Sequence, residues 1–99
     1  MHIRPAKESE FTLLIDNERS HFNSDIITLE ELQEYSTFVL EHNNIILGHY
    51  VCINSENNSY LYSFLINSTV QGKGYSKVLL EHFIKNNALT KTLHVDIYN

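Results

Sequence analysis

An α/β sandwich on a mixed, mostly antiparallel sheet is the fold class this sequence predicts. Three observations carry that reading. The hydrophobic period is helical early in the chain, strand-like through its middle, and helical again near Leu79. Two polar turns, His42-Asn43-Asn44 and Ser55 to Ser59, divide the middle stretch into three runs, which makes an antiparallel meander. A last alternating run follows a helix, so its strand can lie parallel to its neighbour. With 99 residues there is room for one domain, residues 1–99.

The elements follow in order β-α-α-β-β-β-α-β. Met1 to Arg4 suits a short first strand, which Pro5 ends. Phe11, Leu14, Ile15, Glu18 and Phe22 share one face of an amphipathic helix. Glu8 and Glu10 sit at its start, where the dipole favours negative charge. Thr28-Leu29-Glu30-Glu31 reads as a capping box, with Ile27 and Leu32 as a hydrophobic staple, so a second short helix runs from Leu29 to about Ser36. Thr37 to Glu41 is a short strand, and Asn43-Asn44 tolerates the left-handed angles of a tight turn. Ile45 to Asn54 is a long strand, apolar on both faces except at Gly48 and His49. Tyr60 to Ile66 is the third strand of the meander, with Tyr60, Tyr62 and Phe64 alternating on one face. A helix follows from Tyr75 to about Asn87, with Val78, Leu79, Phe83 and Ile84 as its buried stripe. Leu93, Val95 and Ile97 mark a final strand running to Tyr98.

Composition narrows the function. Hydrophobic residues make up 42% and charged residues 19%, an ordinary globular balance. Seven Lys and Arg against twelve Asp and Glu give a net charge of -5, which disfavours nucleic acid as a partner. The longest apolar runs, such as Ile45-Ile46-Leu47, are far too short to span a bilayer, so no membrane partner is expected. The start, Met1-His2-Ile3-Arg4-Pro5, lacks the apolar stretch of a signal peptide, and the cytoplasm is the simplest compartment. Cys52 is the single cysteine and reads as an inert buried thiol. His2, His21, His42, His49, His82 and His94 are scattered over the chain with no pair at ligand spacing, so no metal site is expected.

The chemistry concentrates in Leu65-Ile66-Asn67-Ser68-Thr69-Val70-Gln71-Gly72-Lys73-Gly74-Tyr75-Ser76-Lys77. A strand ends there, a glycine-rich turn follows, and a helix begins. Free amides and the helix dipole make such a junction an anion site. Glycine lets backbone approach a phosphate with no side chain in the way. The loop lacks Walker A spacing. It fills only the first two places of a dinucleotide fingerprint, with Lys77 at the third.

These residues resemble the GNAT superfamily of N-acetyltransferases. Its signature, [Q/R]-x-x-G-x-[G/A] between the fourth strand and third helix, is met by Gln71 and Gly74, with Ser76 in place of Gly or Ala. Phe64 and Ile66 before the loop and Ile3-Arg4-Pro5-Ala6 at the start also fit, and the likeness covers the whole chain in element order. The resemblance implies acetyl-CoA as acyl donor and a primary amine as acceptor. It implies that amides from Gly72 through Tyr75 and Ser76 to Lys77 hold the diphosphate, with Lys73 and Lys77 adding charge. The pantetheine arm would pair with Leu65, Ile66 and Asn67, and the Ile66 amide would polarise the thioester carbonyl. The position where such proteins often carry a catalytic carboxylate falls on Tyr62, a phenol and so a poor base. His49 and Asp96 are further candidates for ordering a water.

The family pattern also places a helix with a general-acid Tyr, and two more strands, after the fifth strand. This chain stops at Asn99, so the expectation is a C-terminally incomplete member with an open sheet edge. A shortened chain, a remnant that binds CoA without turnover, and a fragment completed by a partner strand, including a homodimer through that edge, all fit the sequence.

Overall fold

The computed structural model describes residues 1–23, 25–56, 58–86 and 92–95. The elements are β1 (His2–Pro5), α1 (Phe11–His21), α2 (Leu29–Glu34), β2 (Ser36–His42), β3 (Ile45–Asn54), β4 (Asn58–Ile66), α3 (Tyr75–Asn86) and β5 (Thr92–Val95). The strands form one five-stranded sheet in the order β1-β2-β3-β4-β5. The first four pair antiparallel and β5 joins β4 in parallel, as the sequence predicts. The C-terminal part of the predicted last strand, including Asp96, lies outside the described residues.

Local signals explain the turns. Asn43 and Asn44 take φ of 52° and 65°, the left-handed pair that a two-residue hairpin requires. The Thr28 hydroxyl accepts from the Glu31 amide at 3.2 Å, and Glu31 Oε1 accepts from the Thr28 amide at 3.0 Å. The staple residues Ile27 and Leu32 are buried.

Helices cover both faces. Leu79 and Phe83 of α3 pack on Leu40, Tyr50, Cys52, Leu61, Phe64 and Ile66. Phe11 and Leu14 of α1, with Ile27 and Leu32, pack on Val39, Ile46 and Val51 of the other face. The α3 stripe is narrower than predicted, since Val78 and Ile84 are exposed. The sheet runs under the row of Leu79 and Phe83, with Tyr75 and Leu80 partly buried beside it, and Val78 and Ile84 lie further round the helix toward solvent.

Two bulges reset which face each side chain takes. Leu40 opposes Gly48 while Glu41 opposes Ile46, so Leu47 is the extra residue in β3. Val51 opposes Ser63 while Cys52 opposes Leu61, so Tyr62 is the extra residue in β4. The predicted alternation of Tyr60, Tyr62 and Phe64 on one face therefore fails at Tyr62. Phe64 packs towards α3, whereas Tyr62 turns to the α2 side, where its ring meets Tyr35. A one-residue insertion flips the side chains beyond it, and the alternating pattern alone does not reveal it.

Candidate functional site

The C-terminal end of β4 sets the backbone geometry. The Asn67 amide donates to the Leu47 carbonyl at 2.9 Å, which makes Gly48 and Ile66 a non-hydrogen-bonded pair. Amide direction alternates along a strand. Leu65 therefore faces β3, and the amides of Phe64 and Ile66 face away from it, toward the β5 side. Among the described residues the β4–β5 pairing stops at Leu61 and Val95, while β4 runs on to Ile66. Gly48 permits the close approach of β3 here. A Cβ on it would lie 2.6 Å from the Leu65 carbonyl oxygen and 2.8 Å from Ile66 Cδ1.

The loop beyond this strand is braced from below. Gln71 Nε2 donates to the Ile66 carbonyl at 3.0 Å, and Asn67 Nδ2 donates to the Ile46 carbonyl at 2.8 Å. Gly72 and Gly74 both have φ of 83°, a conformation that L side chains rarely adopt, and open space surrounds each. Residues 71–74 are exposed, as are Ser76 and Lys77, with Tyr75 half-buried. The first bond of the helix runs from the Val78 amide to the Gly74 carbonyl at 3.4 Å. The amides of Tyr75, Ser76 and Lys77 thus have no acceptor within the helix. A glycine-lined, exposed turn leading into free helix amides, with Lys73 and Lys77 beside it, attracts an anion by dipole and charge.

The bulge end of β4 is built from side chains. Tyr62, 42% exposed, donates its hydroxyl proton to Glu31 Oε2, and its ring meets Tyr35 edge-on at 5.4 Å. The Glu31 hydrogen bond, then burial, pushes the Tyr62 phenol up to about 12. Burial alone would raise the Glu31 carboxyl, but hydrogen bonds from Tyr62 and Thr28 outweigh it and hold it low.

Beneath lies a buried network. Glu18 Oε2 is 2.8 Å from His49 Nε2 and accepts from Ser63 Oγ at 2.5 Å, while Oε1 accepts from the Ile27 amide at 3.0 Å. Burial would raise the Glu18 carboxyl, yet the His49 hydrogen bond and charge, with Ser63 and Ile27, leave it below its ordinary value. His49 is fully buried and Glu18 is 1% exposed, so this network ties α1 and the chain before α2 to the sheet. His49, predicted as a possible water-ordering residue, is thereby a packed structural group. Cys52 is buried as expected, and burial pushes its thiol up to about 11.

A family model described as the acetyltransferase (GNAT) domain matches residues 6–97. The chain belongs to the GNAT acetyltransferase family. Its fold is shared by many solved structures. The ribosomal-protein-S18-alanine N-acetyltransferase from Escherichia coli matches with a TM-score of 0.73 at 16% identity, covering 86% of this chain and 57% of that one. A GNAT family acetyltransferase from Elizabethkingia anophelis with acetyl-CoA bound matches with a TM-score of 0.74 at 19% identity, covering 93% and 61%. Arabidopsis thaliana Naa50, in complex with the bisubstrate analogue CoA-Ac-MVNAL, gives 0.76 at 13%, covering 93% and 67%. At these identities the likeness is one of fold. No curated protein matches this GNAT chain in sequence.

Within the GNAT fold the predicted residues separate. Gln71 to Lys77 form one continuous loop and first helical turn next to the end of β4. Of Leu65, Ile66 and Asn67, only Ile66 directs its amide away from β3, and Phe64 shares that orientation. Phe64 was missed as a backbone donor because an amide's direction is invisible until register is known. Tyr62 sits apart from the loop, four strand residues from Ile66, about 13 Å. Glu31 and Tyr35 also went unrecognised, since the bulge that brings Tyr62 to them leaves no mark in the local pattern. No helix among the described residues is long and apolar enough to cross a membrane. No group of three or more His, Cys, Asp or Glu side chains suited to a metal ion occurs among them either.

Proposed function

We infer that this chain is one acyl-CoA-binding domain that transfers an acetyl group from acetyl-CoA to a primary amine in the cytoplasm. The observation that carries this reading is the loop of Gly72 and Gly74, both at positive φ, opening onto free amides of α3 beside the outward-facing amide of Ile66. The diphosphate of CoA sits on the amides of residues 72–77, with Lys73 and Lys77 supplying charge. The pantetheine arm lies along the outward edge of β4, at Phe64 and Ile66. The Ile66 amide donates to the thioester oxygen as negative charge develops on it. The amine nitrogen attacks the carbonyl carbon and gives up a proton, the C–S bond breaks, and the departing CoA thiolate takes up a proton, leaving the amide and the free thiol. No covalent enzyme intermediate is needed, and no metal takes part.

A second reading, CoA binding or association with a partner chain (a second copy included) without efficient turnover, is favoured by one observation. His49, a sequence candidate for ordering a catalytic water, is buried and engaged with Glu18. Calorimetry with CoA tests the loop, and thiol release from acetyl-CoA with a panel of amines tests turnover. Binding with release supports the transferase. Binding without release supports the second reading, and no binding at millimolar CoA contradicts both.

A further inference from the structure

Just past β4, Asn67 makes two bonds to neighbouring residues of β3. Its amide donates to the Leu47 carbonyl at 2.9 Å, and its side-chain Nδ2 donates to the Ile46 carbonyl at 2.8 Å. In a regular strand these successive carbonyls would face opposite neighbours. Leu47 is the inserted residue of the β3 bulge, so the strand is irregular at this spot. One residue thus holds both carbonyls, one with its main chain and one with its side chain. Asn67 Oδ1 is buried with no hydrogen-bond partner among the described residues. Burying that unpaired oxygen offsets part of what the Nδ2 bond contributes to stability. The bulge borders Gly48, which in turn packs against the Leu65–Ile66 peptide. That peptide is planar, with the Leu65 carbonyl and the Ile66 N–H pointing opposite ways. The carbonyl faces β3, close enough that a Cβ on Gly48 would lie 2.6 Å from its oxygen. The backbone of Gly48 therefore limits how the plane tilts, and the tilt sets where the Ile66 N–H points.

We propose that the Asn67 side chain is a positioning residue, which aims the Ile66 amide at the thioester oxygen by closing the β3 bulge. This rests on the acyl-transfer reading, and it adds a residue that acts on turnover without touching the coenzyme's diphosphate. The link runs from Asn67 Nδ2 to the Ile46 carbonyl, through Leu47 to Gly48, and across to the Leu65–Ile66 peptide. A donor to a developing oxyanion works through its direction as well as its distance, so a small tilt slows the reaction. The cradle at residues 72–77 is built from separate amides further along the chain. Asn67 therefore bears on the acetyl end of the coenzyme and not on its diphosphate.

Asn67→Leu keeps the bulk of the side chain and removes its donor, and Asn67→Asp keeps its shape and removes the donor. Urea unfolding checks that each variant of the full chain folds. Residual dipolar couplings of the free chain read the direction of the Ile66 N–H. Calorimetry reads CoA affinity, and thiol release from acetyl-CoA with a panel of amines reads kcat and KM. The expected result is a redirected Ile66 N–H, with the couplings of Tyr75, Ser76 and Lys77 kept. CoA affinity and the KM for acetyl-CoA should stay within about threefold, while kcat falls about tenfold. A purely structural residue would move affinity and kcat together. An unchanged Ile66 N–H or an unchanged kcat in a folded variant overturns the proposal, as does an equal fall in kcat and CoA affinity. A redirected Ile66 N–H in a chain whose wild type releases no thiol upholds the clamp and overturns the acyl-transfer reading alone.

Discussion

The two ends of β4 reach their chemistry by opposite means. At the C-terminal end the groups proposed to bind the coenzyme are backbone amides, aimed by glycine angles and strand register. At the bulge, side chains from α1, α2 and two strands hold one another. The first end needs residues whose absence of a side chain matters, and such residues announce themselves in sequence. The second needs residues 31 to 45 positions apart to meet, as Glu18, Glu31, His49, Tyr62 and Ser63 do.

Perturbing the buried network should separate the ends most strongly. His49→Leu leaves the Glu18 carboxylate without its imidazole hydrogen-bond partner, and stranding a buried carboxylate in this way costs about 3 kcal/mol. Urea unfolding measures that loss, while CoA affinity in the folded variant stays within about twofold. The same network sets an acid limit. Glu18 has a folded-state pKa below its unfolded value, so its contribution is full above about pH 4.5 and lost as the pH falls further. Unfolding followed across that range should therefore show a steep loss of stability in wild type and a shallower one in Glu18→Gln.

Gly48→Val strikes the other end. Its Cβ would meet the Leu65 carbonyl oxygen at 2.6 Å, and the fixed backbone there leaves no room to yield. Overpacking of this kind costs about 3 kcal/mol, again read by urea unfolding. Gly74→Glu places a carboxylate on the loop and forces a side chain onto φ of 83°. CoA affinity should drop about 100-fold by calorimetry, with roughly 1 kcal/mol lost in stability. Thr28→Ala, the mildest change, removes the α2 cap at a cost of about 1 kcal/mol in thermal unfolding and leaves CoA affinity unaltered.

This contrast also explains what was legible in the sequence. The element order, the capping box at Thr28 and Glu31, the asparagine turn and the glycine loop each follow from a few neighbouring residues, and each is present. Strand ends differ by a residue or two, where pairing with a neighbour decides the boundary. The bulge at Tyr62 was not legible, because an inserted residue is defined by what lies opposite in β3. Its consequences were hidden with it: the partners of Tyr62, and the descent of Ser63 onto Glu18. Glu18 itself fell on the apolar face of the predicted helix, the one sequence signal of a buried charge awaiting a partner.

The central claim is that backbone amides after β4 cradle the coenzyme's diphosphate. Amide NMR of the full chain titrated with CoA tests it most directly. The account predicts the largest shifts at residues 72–77 and at Ile66, absent in Gly74→Glu. Shifts centred elsewhere on the sheet, or a titration unchanged by that substitution, would contradict it.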